Sequence, residues 1–221
     1  VGSEMCIRDS PYVVLGAAIL WLGWFGFNAG SALAANDSAA NAFLVTSLAA
    51  STAALTWGVI SHLKTGKMAA VGVATGAVAG LVAITPAAGA VDAMGSLAIG
   101  FGAGLICFFA VELLHKTNMD DALDVFAVHG IGGIWGAIAT GIFALEAIGG
   151  TSGLIEGNVK QVGIQAVGVV ATLIYSGIVT VIIMFILDKI PGLGLRADES
   201  DDCLLYTSPS PRDQRGSGVA G

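Results

Sequence analysis

The stretch Val162–Leu187 reads VGIQAVGVVATLIYSGIVTVIIMFIL, an apolar run with no Asp, Glu, Lys, Arg or His in it. A helix needs roughly 20 such residues to cross the hydrocarbon core of a bilayer, and in lipid its backbone polar groups must be satisfied within the segment. The run therefore predicts a membrane-spanning helix. Five more runs of the same kind precede it: Tyr12–Leu33, Ala42–His62, Met68–Pro86, Met94–His115 and Val125–Ile148. Turn chemistry separates them, in Asn36-Asp37-Ser38, Lys64-Thr65-Gly66-Lys67, Thr85-Pro86 through Asp92, Lys116 to Asp121 and Gly149 to Asn158. The fold class expected is an all-α polytopic membrane protein with six transmembrane helices and both ends on one side.

Composition agrees. Of 221 residues, 55% are hydrophobic and 11% charged, and the mean hydropathy is +0.84. Soluble domains carry about a quarter charged residues, so a soluble globular enzyme is excluded. The net charge of −7, from 16 acidic and 9 basic residues without a basic patch, argues against a nucleic-acid partner, because phosphate contacts need clustered Lys and Arg. Cys6, Cys107 and Cys203 form neither a CxxC pair nor a metal spacing. No nucleophile–base pair, metal cluster or phosphate loop is legible, so no cofactor or metal is expected and an enzyme is the least expected class.

The two ends read as foreign. Glu4-Met5-Cys6-Ile7-Arg8-Asp9 back-translates as GAG ATG TGT ATA AGA GAC, and Cys203-Leu204-Leu205-Tyr206-Thr207-Ser208 as TGT CTC TTA TAC ACA TCT. These are reverse complements in a shifted frame and resemble a transposon end used in preparing sequencing libraries, with Pro209 to Asp213 similar to the adapter that follows it. Residues 1–10 and 203–221 are accordingly expected to be translated adapter, set aside as processing segments are. Residues 11–202 are then a fragment whose natural chain continues on both sides.

Without Arg8, Arg212 and Arg215, six of the nine basic residues remain. Lys64, Lys67, Lys116, Lys189 and Arg196 lie at the ends of the second, fourth and sixth runs, and Lys160 lies opposite. The positive-inside rule makes the majority side cytoplasmic, so the carboxyl end is expected in the cytoplasm. Small residues four apart, Gly72, Gly76 and Gly80, Gly100 and Gly104, Gly132 and Gly136, and Gly26 and Gly30, let helix backbones approach closely and predict packing faces.

Polar groups inside the membrane are costly and mark function by default. His129, in Asp124-Val125-Phe126-Ala127-Val128-His129-Gly130, could relay a proton or bind a weakly basic solute, since a neutral imidazole both donates and accepts. The alternative is a structural histidine bonded to a neighbouring helix. Asp124 either caps the fifth helix or acts at the pore base, while Asp120 and Asp121 read as solvated loop. Trp24, Phe27, Asn28 and Ser31 share one helix face, which is either an interfacial aromatic anchor or a site offering a π-surface, a hydroxyl and an amide to a small cation. Glu112, His115 and His62 read as interfacial groups without a role.

Gly23-Trp24-Phe25-Gly26-Phe27-Asn28-Ala29-Gly30-Ser31, Ala79-Gly80-Leu81-Val82 with Thr85-Pro86-Ala87, Asp124 through Gly133, and Thr140-Gly141-Ile142-Phe143 together resemble the ammonium transporter family, relatives of the Rhesus proteins. The resemblance covers nearly all of residues 11–202. It implies an eleven-helix fold of two inverted five-helix repeats plus a last long helix, of which this chain would be the sixth through eleventh helices, and a homotrimer with one pore per subunit. It implies that Trp24 and Ser31 belong to an outer ammonium recruitment site, that Phe27 is one of two stacked gate phenylalanines, and that Leu20 and Val125 are apolar pore-lining positions. His129 would be one of twin mid-pore histidines, with Asn28 and Asp124 in supporting roles. The partner histidine, the second gate phenylalanine and the remaining recruitment aromatics have no counterpart here. Implied partners are ammonium or ammonia, the inner (plasma) membrane bilayer, two sister subunits and a PII-type signalling protein at the cytoplasmic tail. The alternative function is an ammonium sensor whose cytoplasmic signalling domain is missing.

Overall fold

The structure is a computed structural model, described here for residues 2–117, 121 and 124–190. Its described residues form helices joined by short turns: α1 Gly2–Asn28, α2 Asp37–Thr65, α3 Ala70–Ile84, α4 Ala93–Leu114, a π-helical turn Phe126–Ile131 running into α5 Gly132–Phe143, a short α6 Glu146–Gly149, and α7 Val159–Asp188. One compact unit extends to Val170, and the chain from Ala171 is a second unit that contains the rest of α7. The all-α class and the multi-pass membrane character stand.

Among the described residues, five helical segments are long and apolar enough to cross a membrane: Ser10–Ala32, Asp37–Thr65, Ala93–Leu114, Phe126–Phe143 and Val159–Asp188. The third expected span is a shorter apolar helix of 15 residues, about 22 Å long at 1.5 Å per residue. Its chain continues as turns, with Ala87 N–H donating to the carbonyl of Ile84 and Val91 N–H to that of Ala87. The fifth expected span, Val125–Ile148, ends at Phe143 instead. There Ala144 turns extended (ψ 138°), and the chain is pinned sideways by Leu145 N–H to the Ala90 carbonyl (2.8 Å) and Gly153 N–H to that of Ala144 (2.8 Å). Apolarity alone concealed that corner.

Helix ends follow their sequences. Asn36 caps α2 by accepting from Ala39 N–H (3.0 Å), and Asp92 caps α4 by accepting from Gly95 N–H (2.8 Å), as short polar side chains do at free N-terminal amides. Gly66 closes α2 in the left-handed region (φ 75°) with its N–H on the His62 carbonyl, the conformation for which glycine carries no Cβ penalty.

The core is built from small residues. Ala49 and Ala53, one turn apart on α2, are both fully buried. A Cβ added at Gly80 of α3 would stand 2.6 Å from the Ala49 carbonyl oxygen, and one at Gly104 of α4 would stand 2.7 Å from that of Ala53. Gly100 meets Ala49 and Gly136 meets the backbone of Ala83 equally closely. Two helices therefore grip one alanine pair at backbone contact, which is the packing that lipid, offering no hydrophobic drive, requires. Gly26 of α1 and Gly30 of the 3-10 turn after it differ: among the described residues nothing lies within 4 Å of a Cβ added to either. Unlike the other three groups, this pair packs against nothing among the described residues.

Candidate functional site

The candidate site residues lie in three places: the end of α1, a mainly apolar cavity between α1 and α3, and the approach to the π-helical turn. At the end of α1, Trp24 is half-buried and donates its indole N–H to Thr85 Oγ1 (2.8 Å), while Thr85 passes its own proton to the Leu81 carbonyl (2.7 Å). Asn28 is buried and donates from its amide to Thr46 Oγ1 (2.9 Å), and Thr46 donates to the Ala42 carbonyl (2.6 Å). Ser31 is exposed and donates to the Phe27 carbonyl (2.6 Å). Phe27 stands 61% exposed, edge-on to Trp24 with ring centroids 5.9 Å apart.

Proton bookkeeping gives this cluster a sign. A hydroxyl has one proton and two lone pairs, and an indole has one proton only. The protons of Trp24, Thr85, Thr46 and Ser31 are all directed at protein acceptors. The hydroxyls can therefore offer a solute only lone pairs and the rings only their faces, which suit a donor-rich cation, while Asn28 keeps one amide N–H beside its oxygen.

A cavity of about 300 Å³ is lined by Val13, Leu20, Ala74, Val78, Val128 and His129 among others. The structure thus brings Leu20 and His129 together, from residues more than a hundred positions apart in the chain. Val125 is not among the lining residues and lies half exposed below the turn. His129 is exposed, and no hydrogen-bonded neighbour holds its imidazole among the described residues. It sits in the π-helical turn Phe126–Ile131, a wider coil than the α-helix and one that recurs at functional sites.

The cap of this segment is not Asp124. Asp121 accepts Val125 N–H through Oδ1 (2.9 Å) and Phe126 N–H through Oδ2 (2.8 Å), so the solvated-loop reading of Asp121 is corrected; Asp120 lies outside the described residues. Asp124 takes the left-handed region (φ 53°), which turns its side chain from the helix amides toward His115 Nε2 (2.7 Å). His115, read as an interfacial group, therefore ties the end of α4 to the start of the His129 segment. Glu112 likewise has a partner, Lys64 of α2.

Three site residues escaped the sequence reading. Thr85 was visible in Thr85-Pro86-Ala87 but had no assigned partner, Thr46 is a lone hydroxyl within an apolar run, and Asp121 looked like one charge among several. Thr46 had a usable signal, since a polar residue inside a span asks for an explanation. Among the described residues no group of three His, Cys, Asp or Glu side chains is placed to hold a metal ion.

Residues 3–204 match the sequence model of the Ammonium Transporter Family. The ammonium transporter of Aquifex aeolicus is 53% identical over 202 residues, which cover 91% of this chain and 47% of the relative. Ammonium transporter Amt1 of Archaeoglobus fulgidus is 46% identical over 189 residues, covering 86% and 48%. Among solved structures, Mep2 of Saccharomyces cerevisiae superposes with a TM-score of 0.82 at 40% identity, covering 86% of this chain and 44% of that one. A protein described as a sensor Amt protein gives 0.80 at 30% identity, covering 91% and 49%. The chain spans about half the length of the curated relatives it matches.

Proposed function

The chain belongs to the ammonium transporter family, a family of transporters and not of enzymes, and on that premise we propose that it forms the carboxyl-terminal half of an ammonium/ammonia pore in a homotrimer. The observation that carries this reading is the cluster at the end of α1, where the indole and hydroxyl protons are all given to protein acceptors and lone pairs and ring faces are left over. Ser31 and Trp24 form the recruitment site, where lone pairs and a π-face replace water around a small cation, a gain of about 0.5 to 2 kcal/mol from the ring alone. Phe27 gates the way inward, and Asn28 supports the site.

A charge at the bilayer centre costs several kcal/mol by insertion scales and more by simulation. Separating ammonia from its proton lowers that barrier. The apolar wall of Leu20 accommodates the neutral molecule, and His129, a group that accepts and releases protons near neutrality, passes the proton on with a partner imidazole from the other half. Val125 lines the cytoplasmic approach, and Asp124 supports the base of that helix. The open side of α1 is where the amino-terminal half packs.

In this reading the protein lies in the inner (plasma) membrane with its carboxyl end cytoplasmic, the side on which Lys64, Lys67, Lys116 and Lys189 cluster. A PII-type protein acts on the tail, and residues 1–10 and 203–221 are translated adapter. The uninterrupted genomic reading frame on either side tests the adapter proposal. A second reading, an ammonium sensor, rests on the similarity to a sensor Amt protein; the higher identity to proteins named ammonium transporters favours transport.

The experiment is ammonium-evoked current in proteoliposomes holding the intact transporter. A saturable current that Ser31→Val weakens supports the proposal, and no current above empty liposomes refutes it.

A further inference from the structure

Asn28 is 8% exposed and sits where α1 ends. Its amide orientation is fixed by hydrogen counting. Thr46 has one hydroxyl proton, already donated to the Ala42 carbonyl at 2.6 Å. The 2.9 Å contact between Asn28 and Thr46 must then have Thr46 as acceptor and the Asn28 nitrogen as donor. The reverse orientation of the amide would set two acceptors against each other.

With its nitrogen held on α2, the planar amide turns Oδ1 away from Thr46. Among the described residues Oδ1 accepts no hydrogen bond, and no side-chain oxygen or nitrogen cut off from solvent lacks a partner. Oδ1 is therefore a lone acceptor that reaches the surface of the chain. Trp24 stands one turn before it on α1, and Ser31 follows in the 3-10 turn Gly30–Ala32.

Resting on the transport reading above, we infer that Asn28 is itself a binding residue: Oδ1 accepts an N–H bond from the ammonium ion as water is stripped from it, and Thr46 is the positioning residue that aims it. A hydrogen bond between a neutral group and a charged one is stronger than a neutral pair. A methylated ammonium has fewer N–H bonds to place, so Oδ1 also contributes to selectivity.

The test compares Asn28→Leu, Thr46→Ser and Thr46→Val in the intact transporter, with ammonium and methylammonium currents recorded in proteoliposomes against concentration. Asn28→Leu should raise the half-saturating ammonium concentration about ten-fold with a smaller change in maximal current, and narrow the ammonium-to-methylammonium preference. Thr46→Ser keeps the hydroxyl that accepts from the Asn28 amide and should stay close to the parent, with Thr46→Val between the two. If Asn28→Leu does not assemble, the Ser and Val variants decide. A parent-like Ser variant beside a weakened Val variant supports the role. An unchanged half-saturation in Asn28→Leu, or a Ser variant as impaired as the Val variant, overturns it while leaving the transport reading intact. A parent without ammonium current removes both, and does so before any variant is compared.

Discussion

The α2–α3–α4 core and the exposed face of α1 are written in the same alphabet, glycines and alanines three or four residues apart, yet one is packed to backbone contact and the other meets nothing among the described residues. Gly80 and Gly104 leave no room for a methyl group against Ala49 and Ala53, whereas Gly16, Gly23, Gly26 and Gly30 have open space where a Cβ would go. The Ser10–Ala32 segment has only 6% of its most apolar window buried, against 44% for both α2 and α4. Small-residue spacing thus says that a helix is meant to be approached closely. It does not say by what.

The comparison breaks most readily in the core. Gly80→Leu should destabilise the chain by several kcal/mol, since overpacking against backbone has no flexible side chain to yield; loss of the monodisperse peak in detergent size-exclusion chromatography is the readout. Gly26→Leu should leave that peak and the melting temperature of the 221-residue chain unchanged. In the intact transporter the same Gly26→Leu substitution should impair assembly, because there the face has a partner. An equal loss in both contexts would contradict the proposed role of the α1 face.

A smaller effect is expected at the start of the fifth helix. Asp121→Ala removes a carboxylate that holds two backbone amides, and caps of this kind contribute about 0.5 to 2 kcal/mol. Hydrogen exchange should rise at Val125 and Phe126 and hardly change in α2. Smallest of all is Lys64→Met: the Lys64–Glu112 pair is 42% and 36% exposed, so solvent screening leaves about 1 kcal/mol or less, and the melting temperature should barely move. A large drop would mean that the cation also relies on Phe108 and Phe109, whose rings lie 5.5 and 5.1 Å from Nζ.

The sequence made the helices legible because lipid imposes one rule, long apolar runs, and that rule survives without tertiary context. It could not show where α5 stops, since the bend at Ala144 is set by hydrogen bonds to Ala90 and Gly153 from elsewhere in the chain. At the site, the α1 residues were legible from helical spacing and His129 from its isolation in an apolar run. Their partners were not. Thr46 and Thr85 act through bonds spanning 18 and 61 positions, and the cap falls to Asp121 instead of Asp124 because a left-handed residue decides which carboxylate faces the helix amides.

The central claim is that His129 carries the proton through an otherwise apolar passage. Its most direct test is the ammonium current of His129→Ala in the intact transporter, assembled as the parent is and read alongside uptake of labelled methylammonium. The account predicts that the current or its selectivity changes markedly. A His129→Ala transporter with parental current and parental selectivity would contradict it.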